Sequence, residues 1–572
     1  MQVQSVSDQG SKKPRAHAAA CALISIWLIS GSACAHQATT MGTQLDGGAP
    51  QTPKVLRIAQ ARPFTTFADF IGVGTHGGGN SLFRNIAHDY LTMKASGAYE
   101  PKLAVEVPSV ERGTWRINPD GTMDMEWRIH PNVKWHDGTP FTSADLLFSF
   151  QLHTDPEYNP TSGTARIRLM ESATTPDPLS LNVRWKKVVS DADSALALDP
   201  MPKHLLEAMY ATDKQLLVTT PLLNSEFVGL GPYRIAEWNY GVETVFTRFD
   251  DYYRGKPPLD KIIVKEVGDH NVMVASILGG SVDAILRPRL ETHVILEIRR
   301  QWEGTGNQIV LADAEATEAS FVRIQHNPEY AQVKNGLTLL PVRQAFYHAV
   351  DRQELAEAHG QDLTPPADSW VDPRHPWRSQ LESAIPQHAY DPARALQKLE
   401  DAGWTRGPDG KLVHRTGERF QTVFRVRAAA GGEADGLILQ NAWSKIGAEI
   451  GVETLTAAVS QDRVYQAQAP FATLSGLGLS SFTIGGHLQS SEIGTRERPG
   501  ANWGNYSNLR ADAIIDRLIL AIEVPEKIAL YRQLLQEQVG DVGGMWLYWQ
   551  ADPHLMLKGV TLGWNPFLWT KE

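Results

Sequence analysis

Between Trp115 and Phe150 the apolar residues change from every second position to a helical rhythm, so this stretch reads as strand, turn and helix in succession. Trp115 and Ile117 alternate with polar neighbours, as in a half-buried strand. Asn118-Pro119-Asp120-Gly121 follows as a tight turn. Met123, Met125, Trp127 and Ile129 then alternate with Asp124, Glu126 and Arg128, which completes a hairpin with one apolar face. Asp137-Gly138 marks a second turn. Thr142 or Ser143 is placed to cap a helix. Asp145 stands three residues after Thr142, close to a capping box, and Leu146, Leu147 and Phe150 supply the buried stripe. His130, His136 and Asp137 read as turn and loop groups rather than metal ligands.

The chain has 572 residues, and single cores stop growing at roughly 250–300, so two or more lobes are expected. A net charge of −10 without a long basic run argues against nucleic acid, because phosphate binding needs clustered Lys and Arg. The only cysteines are Cys21 and Cys34, so the body of the protein has no disulfide framework, zinc cluster or thiol nucleophile. Lys12, Lys13 and Arg15 precede an apolar run, Ala18 to Ile29, that is too short to span a bilayer, and the small residues Gly31-Ser32-Ala33 lead to Cys34. This is the pattern of a secretory signal. It resembles a lipobox, with Gly31 where Leu is usual; cleavage there leaves Cys34 first and lipid-modified, and ordinary cleavage nearby is the alternative. Residues 35–53 hold no Lys or Arg and are rich in Gly, Thr, Gln and Ala, as in a flexible tether.

Val55 to Ala59 opens the folded part as a short strand. Gly77-Gly78-Gly79-Asn80 precedes a helical stretch from about Ser81 to Met93. It reads as a plain turn bringing backbone close to a cleft; the phosphate-loop alternative lacks the Walker Lys-Ser/Thr. Strands and helices alternate from there, with no long heptad and no short-period repeat, as an α/β architecture requires. Trp546 and Tyr548 alternate with Leu547 and Trp549, which puts aromatics on both faces of one strand, with core packing on at least one of them.

An ordered series of segments resembles the family 5 extracellular solute-binding proteins, the dipeptide- and oligopeptide-binding components of bacterial ABC importers. Trp127 to Phe150 is similar to the family's signature segment, and Gly229-Leu-Gly-Pro-Tyr-Arg-Ile-Ala-Glu-Trp238 to its glycine-proline-tyrosine strand. Arg248 to Asp260 resembles the next strand and turn, and Phe321-Val-Arg-Ile-Gln-His-Asn327 the strand that crosses into the next lobe. Pro341 to Arg352, Tyr390 to Trp404 and Asn502 to Asn508 resemble later helices and a late loop. Within them Val342, Ala345, Phe346, Ala349 and Val350 keep helical spacing, Pro392 starts a helix and Gly403 stops it.

The resemblance implies a two-lobed, periplasmic-binding-protein-like α/β fold, with two crossing hinge strands and an extra subdomain on the first lobe. The expected division is 1–33 signal peptide, 34–53 tether, 54–320 lobe I with an inserted subdomain at about 95–185, 321–544 lobe II, and 545–572 a return to lobe I. It implies a monomer that binds a peptide or related small solute by lobe closure outside the cytoplasmic membrane and hands it to ABC permease subunits. No cofactor and no metal are expected. The protein would be periplasmic or at the cell surface, held to a membrane only through lipid at Cys34.

No Gly-x-Ser-x-Gly elbow or His-Glu-x-x-His motif occurs, so no enzyme activity is expected. An exported hydrolase or a ligand receptor feeding a sensor are the alternatives. Peptide binders of the family resemble one another around a glycine-tryptophan segment closed by an aspartate that pairs with the ligand's α-ammonium. Here Ser475-Gly476-Leu477-Gly478-Leu479-Ser480 puts Leu477 at the tryptophan and Ser480 at the aspartate. A buried ammonium without a carboxylate is costly, so this departure suggests a blocked peptide, a less cationic solute, or a shifted anchor such as Asp462. By position the ligand-binding candidates are Asn80, Ser475, Gly476, Leu477, Ser480 and Trp503, with His76 and His487 weighed as metal ligands and set aside as lone histidines.

Overall fold

The computed structural model describes residues 53–572 apart from 62, 68–78, 96–97, 156, 158–168, 194–197, 287–289, 291, 312–317, 361–362, 428–431, 457–458, 479–486, 495–499, 551–552, 563–568 and 572. The expected signal, Cys34, the tether, His76 and Ser480 lie outside the described residues.

The chain builds three sheets of four or more strands. β1 (Val55–Gln60) starts the first, and the hairpin β2 (Thr92–Ala95) and β3 (Ala98–Pro101) follows. A four-stranded antiparallel sheet then takes β4 (Trp115–Ile117), β5 (Met123–Arg128), β6 (Met170–Asp177) and β7 (Ser180–Trp185) in the order β4-β5-β7-β6. The chain returns beside β1 with β8 (Tyr233–Asn239), β9 (Glu243–Arg248), β10 (Lys261–Glu266), β11 (Ala284–Ile285) and β12 (Gln308–Leu311). β13 (Glu318–Ile324) opens another sheet. After the hairpin β14 (Trp404–Arg406) and β15 (Leu412–His414), that sheet gains β16 (Gln421–Arg427), β17 (Glu449–Leu455), β18 (Ala472–Gly478) and β19 (Met545–Trp549). β20 (Pro553–Met556) goes back to the first sheet. The orders are β12-β20-β11-β1-β10-β9-β8 and β17-β16-β18-β13-β19.

Each sheet has its own core, because each buries a different apolar set. Leu56, Ile58, Phe83, Phe246, Ile262 and Val264 pack together on the first. The five-stranded sheet is covered on both faces, one by Phe346, Phe424, Trp443 and Phe471, the other by Trp370, Leu534 and Trp546. Met123, Met125, Trp127 and Ile129 are buried on one face of the four-stranded sheet, as their alternation predicts. Ile117 departs from that pattern at 50 % exposure, because it ends β4 at the turn.

Thr142 caps the helix Ser143–Thr154, and the Asp145 carboxylate accepts the Thr142 N–H at 2.9 Å. The expected single stripe was too narrow. Leu146 packs on the four-stranded sheet, but Phe148 and Leu152 are buried against Met201, Leu206 and Leu217, while Leu147 and Phe150 are half-buried. The helix expected to reach Met93 ends at Ala87 (Gly79–Ala87). Its exit runs against Gly229-Leu230-Gly231, where Gly231 N–H donates to Ala87 O at 3.1 Å and Met93 is already in β2.

The expected alternation along β19 also fails. Trp546 and Trp549 share one core, while Met545, Leu547 and Tyr548 share the other. Ser320 pairs with Tyr548 and Phe321 with Trp546, so Leu547 is an extra residue in a β-bulge, and the period of two is broken there. The opposite edge of β19 is held by residues 365–367, through Ala367 N–H to Leu547 O at 3.0 Å and Trp549 N–H to Pro365 O at 2.9 Å.

The chain crosses between the first and the five-stranded sheet twice. β12 ends where Leu311 pairs with Pro553 of β20, and β13 begins where Ala319 pairs with Trp549 of β19, with Gln550 N–H donating to Glu318 O at 2.9 Å. The two connections thus leave and arrive side by side, antiparallel. The boundary expected at 320/321 therefore falls inside β13, and the one at 544/545 falls before β19, which still belongs to the five-stranded sheet. Pairing to β13, invisible to local pattern, moves the return past Trp549.

Candidate functional site

β16, β17 and β18 run parallel, and their carboxyl ends lie at the same edge as the start of β13 and the end of β19. That edge faces the two crossings. In open α/β sheets the crevice outside the carboxyl ends of parallel strands is where ligands bind. Glu318 at the start of β13, Arg427 at the end of β16, and Ser475 and Gly476 of β18 lie toward that edge, while Arg323, the penultimate residue of β13, reaches Ser475 from the other end, where the loop carrying Trp503 packs.

That loop is held firmly. Asn502 accepts the Tyr506 N–H and donates to Gln489 O and Tyr506 O, while Asn505, at a φ of 53°, donates to Gln325 Oε1 and Ala467 O. Gly504 lets backbone approach β13: an added Cβ would stand 2.7 Å from Ile324 O. The consequence is a fixed indole. The Arg323 guanidinium lies 5.0 Å from the Trp503 ring and that of Arg427 5.8 Å.

Arg323 is only 6 % exposed. Its Nη atoms reach neutral groups at long range: Ser475 Oγ at 3.3 Å, Ala501 O at 3.2 Å and His487 Nδ1 at 3.4 Å. Its Nε is buried without a partner, as is that of Arg427. Among the described residues no carboxylate lies within ion-pairing distance of either guanidinium. Burial, reinforced by Arg427, pulls the Arg323 pKa down to about 9, so it stays charged at neutral pH. Burial also lowers that of Arg427, and the field of Glu318 opposes the shift. Burial, then Arg323, holds His487 at about 3. Arg323 can only donate, so the neutral His487 presents Nδ1 as acceptor.

The sequence candidates divide. Ser475 is 8 % exposed and touches Arg323, Trp503 has both guanidiniums near its ring, at 5.0 and 5.8 Å, and Gly476 is bare backbone where an added Cβ would stand 2.6 Å from the Glu318 carboxylate. Leu477, at 2 % exposure, belongs to the core beneath the sheet. Asn80 lies in the first turn of its helix. Asp462, named as a candidate shifted anchor, is an N-cap whose Oδ1 accepts the Val464 and Tyr465 amides. His136 is buried between Gly229 N–H and Gly231 O, and Asp137 caps its turn and meets His204 at 2.7 Å, both structural roles. Arg323 and Arg427 were missed, although a lone arginine inside the apolar run Phe321-Val-Arg-Ile was the available signal.

An open depression of about 500 Å³ lies elsewhere, lined by His136, Arg234, Arg248 and Asp250. Arg248 there is paired with Asp250 and Asp260 at 2.6 Å each, and β8 is the edge strand farthest from the crossings. Arg248 thus has carboxylate partners in that depression; among the described residues Arg323 and Arg427 have none within ion-pairing distance.

Two separately cored α/β sheets, linked by two connections whose flanking strands pair antiparallel, define a two-lobed fold. Residues 103–482 match the model of the bacterial extracellular solute-binding proteins, family 5, and the chain belongs to that family. It is 25 % identical to heme-binding protein A of Haemophilus influenzae over 460 residues, 77 % of each chain. It is 23 % identical to the oligopeptide-binding protein AppA of Bacillus subtilis over 438 residues, 75 % of this chain and 76 % of that one. The structure of NikZ from Campylobacter jejuni in complex with Ni(L-His) superposes with a TM-score of 0.71 at 21 % identity, covering 91 % of this chain and all of NikZ. The fold is therefore that of the periplasmic binding proteins.

Proposed function

We propose that this protein is the extracytoplasmic capture component of an ABC importer. It closes two lobes around a peptide or a related small solute and passes it, chemically unchanged, to a membrane permease. The observation that carries this reading is the paired crossing between two independently cored sheets in a family of solute-binding proteins. A solute touching both lobes stabilises the closed state by no more than its differential affinity for closed over open. The named relatives differ in what they hold: heme, oligopeptides and a nickel–histidine complex. The lobes are placed at 54 to the first crossing and from β13 through β19, with the remainder returning to the first lobe. Residues 1–33 act as the export signal, with Cys34 as the lipid-bearing residue. Asn80, Ser475, Gly476 and Trp503 line the cleft, joined by Arg323 and Arg427.

The test is thermal unfolding of the purified protein with candidate solutes, followed by product analysis. A solute specific for the native state raises the midpoint by mass action without being converted. Turnover of any solute ends the capture reading in favour of an exported hydrolase.

A further inference from the structure

We propose that the solute presents a carboxylate to the guanidiniums of Arg323 and Arg427 beside Trp503. The inference rests on the capture reading above and names the ligand chemistry for it. Other buried arginines of this protein are matched by the protein itself. Arg343 donates to the Asp541 carboxylate at 2.8 Å, Arg425 to Glu453 at 3.0 Å, and Arg84 pairs with Asp199. Arg323 and Arg427 are the contrast. Each lies in the other's field, no carboxylate pairs with either among the described residues, and the Arg323 Nη contacts reach only neutral groups at 3.2 to 3.4 Å, at or beyond the long end of good hydrogen bonds. A buried cation without a counter-charge is costly to hold, and here the buried Arg323 shares one indole with the half-buried Arg427.

A carboxylate supplies what the site lacks. Its two oxygens match the planar fork of a guanidinium, and it accepts from both arginines at once. The Trp503 ring lies 5.0 Å from the Arg323 guanidinium, and the Ser475 hydroxyl adds a neutral donor. Glu318 is the carboxylate whose field reaches Arg427; it is exposed at the start of β13 and forms no ion pair with either arginine among the described residues. A ligand ammonium is repelled here, so this site takes the acidic end of a solute.

The experiment is thermal unfolding and titration calorimetry on the full processed protein, at constant ionic strength set with chloride. The probes are short peptides, each as the free acid and as the C-terminal amide, together with succinate and citrate. At least one free acid is expected to raise the midpoint, while its amide does not. Arg323→Met should weaken that ligand roughly thirtyfold or more, as loss of one partner of a buried charged hydrogen bond does. Arg323→Lys should retain part of the affinity. Without solute, Arg323→Met should melt above the wild type, since it removes an unmatched buried charge; a merely structural arginine would move the midpoint down. Response to peptide acids or to the dicarboxylates separates a peptide terminus from an organic acid. Amides that bind as well as acids, or acids whose affinity Arg323→Met leaves intact, overturn the carboxylate assignment but leave solute capture standing. A panel with no responder also overturns the assignment, whereas conversion of a probe to product overturns capture itself.

Discussion

Arg343 offers a sharp test of how this fold treats buried charge. It is 5 % exposed on the helix Leu340–His348. Its guanidinium donates from Nε and Nη2 to Asp541 O at 3.1 and 2.9 Å, from Nη2 to Asp541 Oδ1 at 2.8 Å, and from Nη1 to Leu337 O and Thr338 O at 3.1 Å each. Arg343→Met keeps the apolar stem and deletes all five donations. The Asp541 side chain is 30 % exposed and the Thr338 carbonyl is only part-buried, so water replaces those partners. The Asp541 carbonyl is likewise part-buried and open to water, whereas the buried Leu337 carbonyl is left unpaired at about 1–3 kcal/mol, so the expected loss is about 2 kcal/mol. Asp541→Asn keeps the backbone acceptor and should cost only about 1 kcal/mol. Urea unfolding followed by tryptophan fluorescence reads both. The reasoning fails if Arg343→Met stays within about 1 kcal/mol of wild type, or if the two variants are equal. The same substitution at Arg323 is expected to act with the opposite sign, because that arginine has no carboxylate to lose.

Gly231→Ala should destabilise by about 3 kcal/mol or more, since its Cβ would stand 2.5 Å from backbone atoms of Ala87 and His88; Gly241→Ala, at φ +75° in open space, should cost about 1 kcal/mol, and equal midpoints would refute the contrast. Burial holds His136, His326 and His487 at about 3 and His388 at about 4. Their folded pKa values lie below the unfolded value, so the unfolded chain binds more protons; stability is full above about pH 6.5 and falls as the pH drops toward 4, by about 1.4 kcal/mol per pH unit for each. A calorimetric midpoint that stays flat between about pH 7 and pH 5 would refute this. Lys527 Nζ donates to Ser190 O at 3.1 Å and Ser190 N–H to Ile519 O at 2.9 Å, linking the four-stranded sheet's body to the helices of the second lobe. Lys527→Ala should favour the open state by about fivefold, read as a larger radius of gyration in X-ray scattering without solute; no change would count against the contact as a latch. Cys34→Ala should release the protein from the membrane fraction, and retention there would argue against lipid anchoring.

Much of the local structure was legible because it depends on local periodicity and capping. The hairpin β4–β5, the Thr142 cap, the helix begun by Pro392 and the buried Val342, Ala345 and Phe346 of the helix Leu340–His348, which stops before Ala349 and Val350, all follow from neighbours a few positions apart. The candidate site was legible only in part. Ser475 and Trp503 come together, while Leu477 turns into the core beneath them. Proximity of β18 to the late loop is set by the order of strands in the sheet, which no window of sequence contains.

The sequence by itself determined the alternation of strand and helix, the need for more than one core, the confinement of cysteine to the first 34 residues and the family. Tertiary structure alone decided which residues share a face across a bulge, where the chain crosses between lobes, and that two arginines distant in sequence end beside one tryptophan with no carboxylate in ion-pairing distance among the described residues. The physical reason is range. Periodicity and caps are interactions between near neighbours, whereas strand order and charge matching depend on segments more than a hundred residues apart, and whether a buried charge is satisfied is settled only once those segments meet.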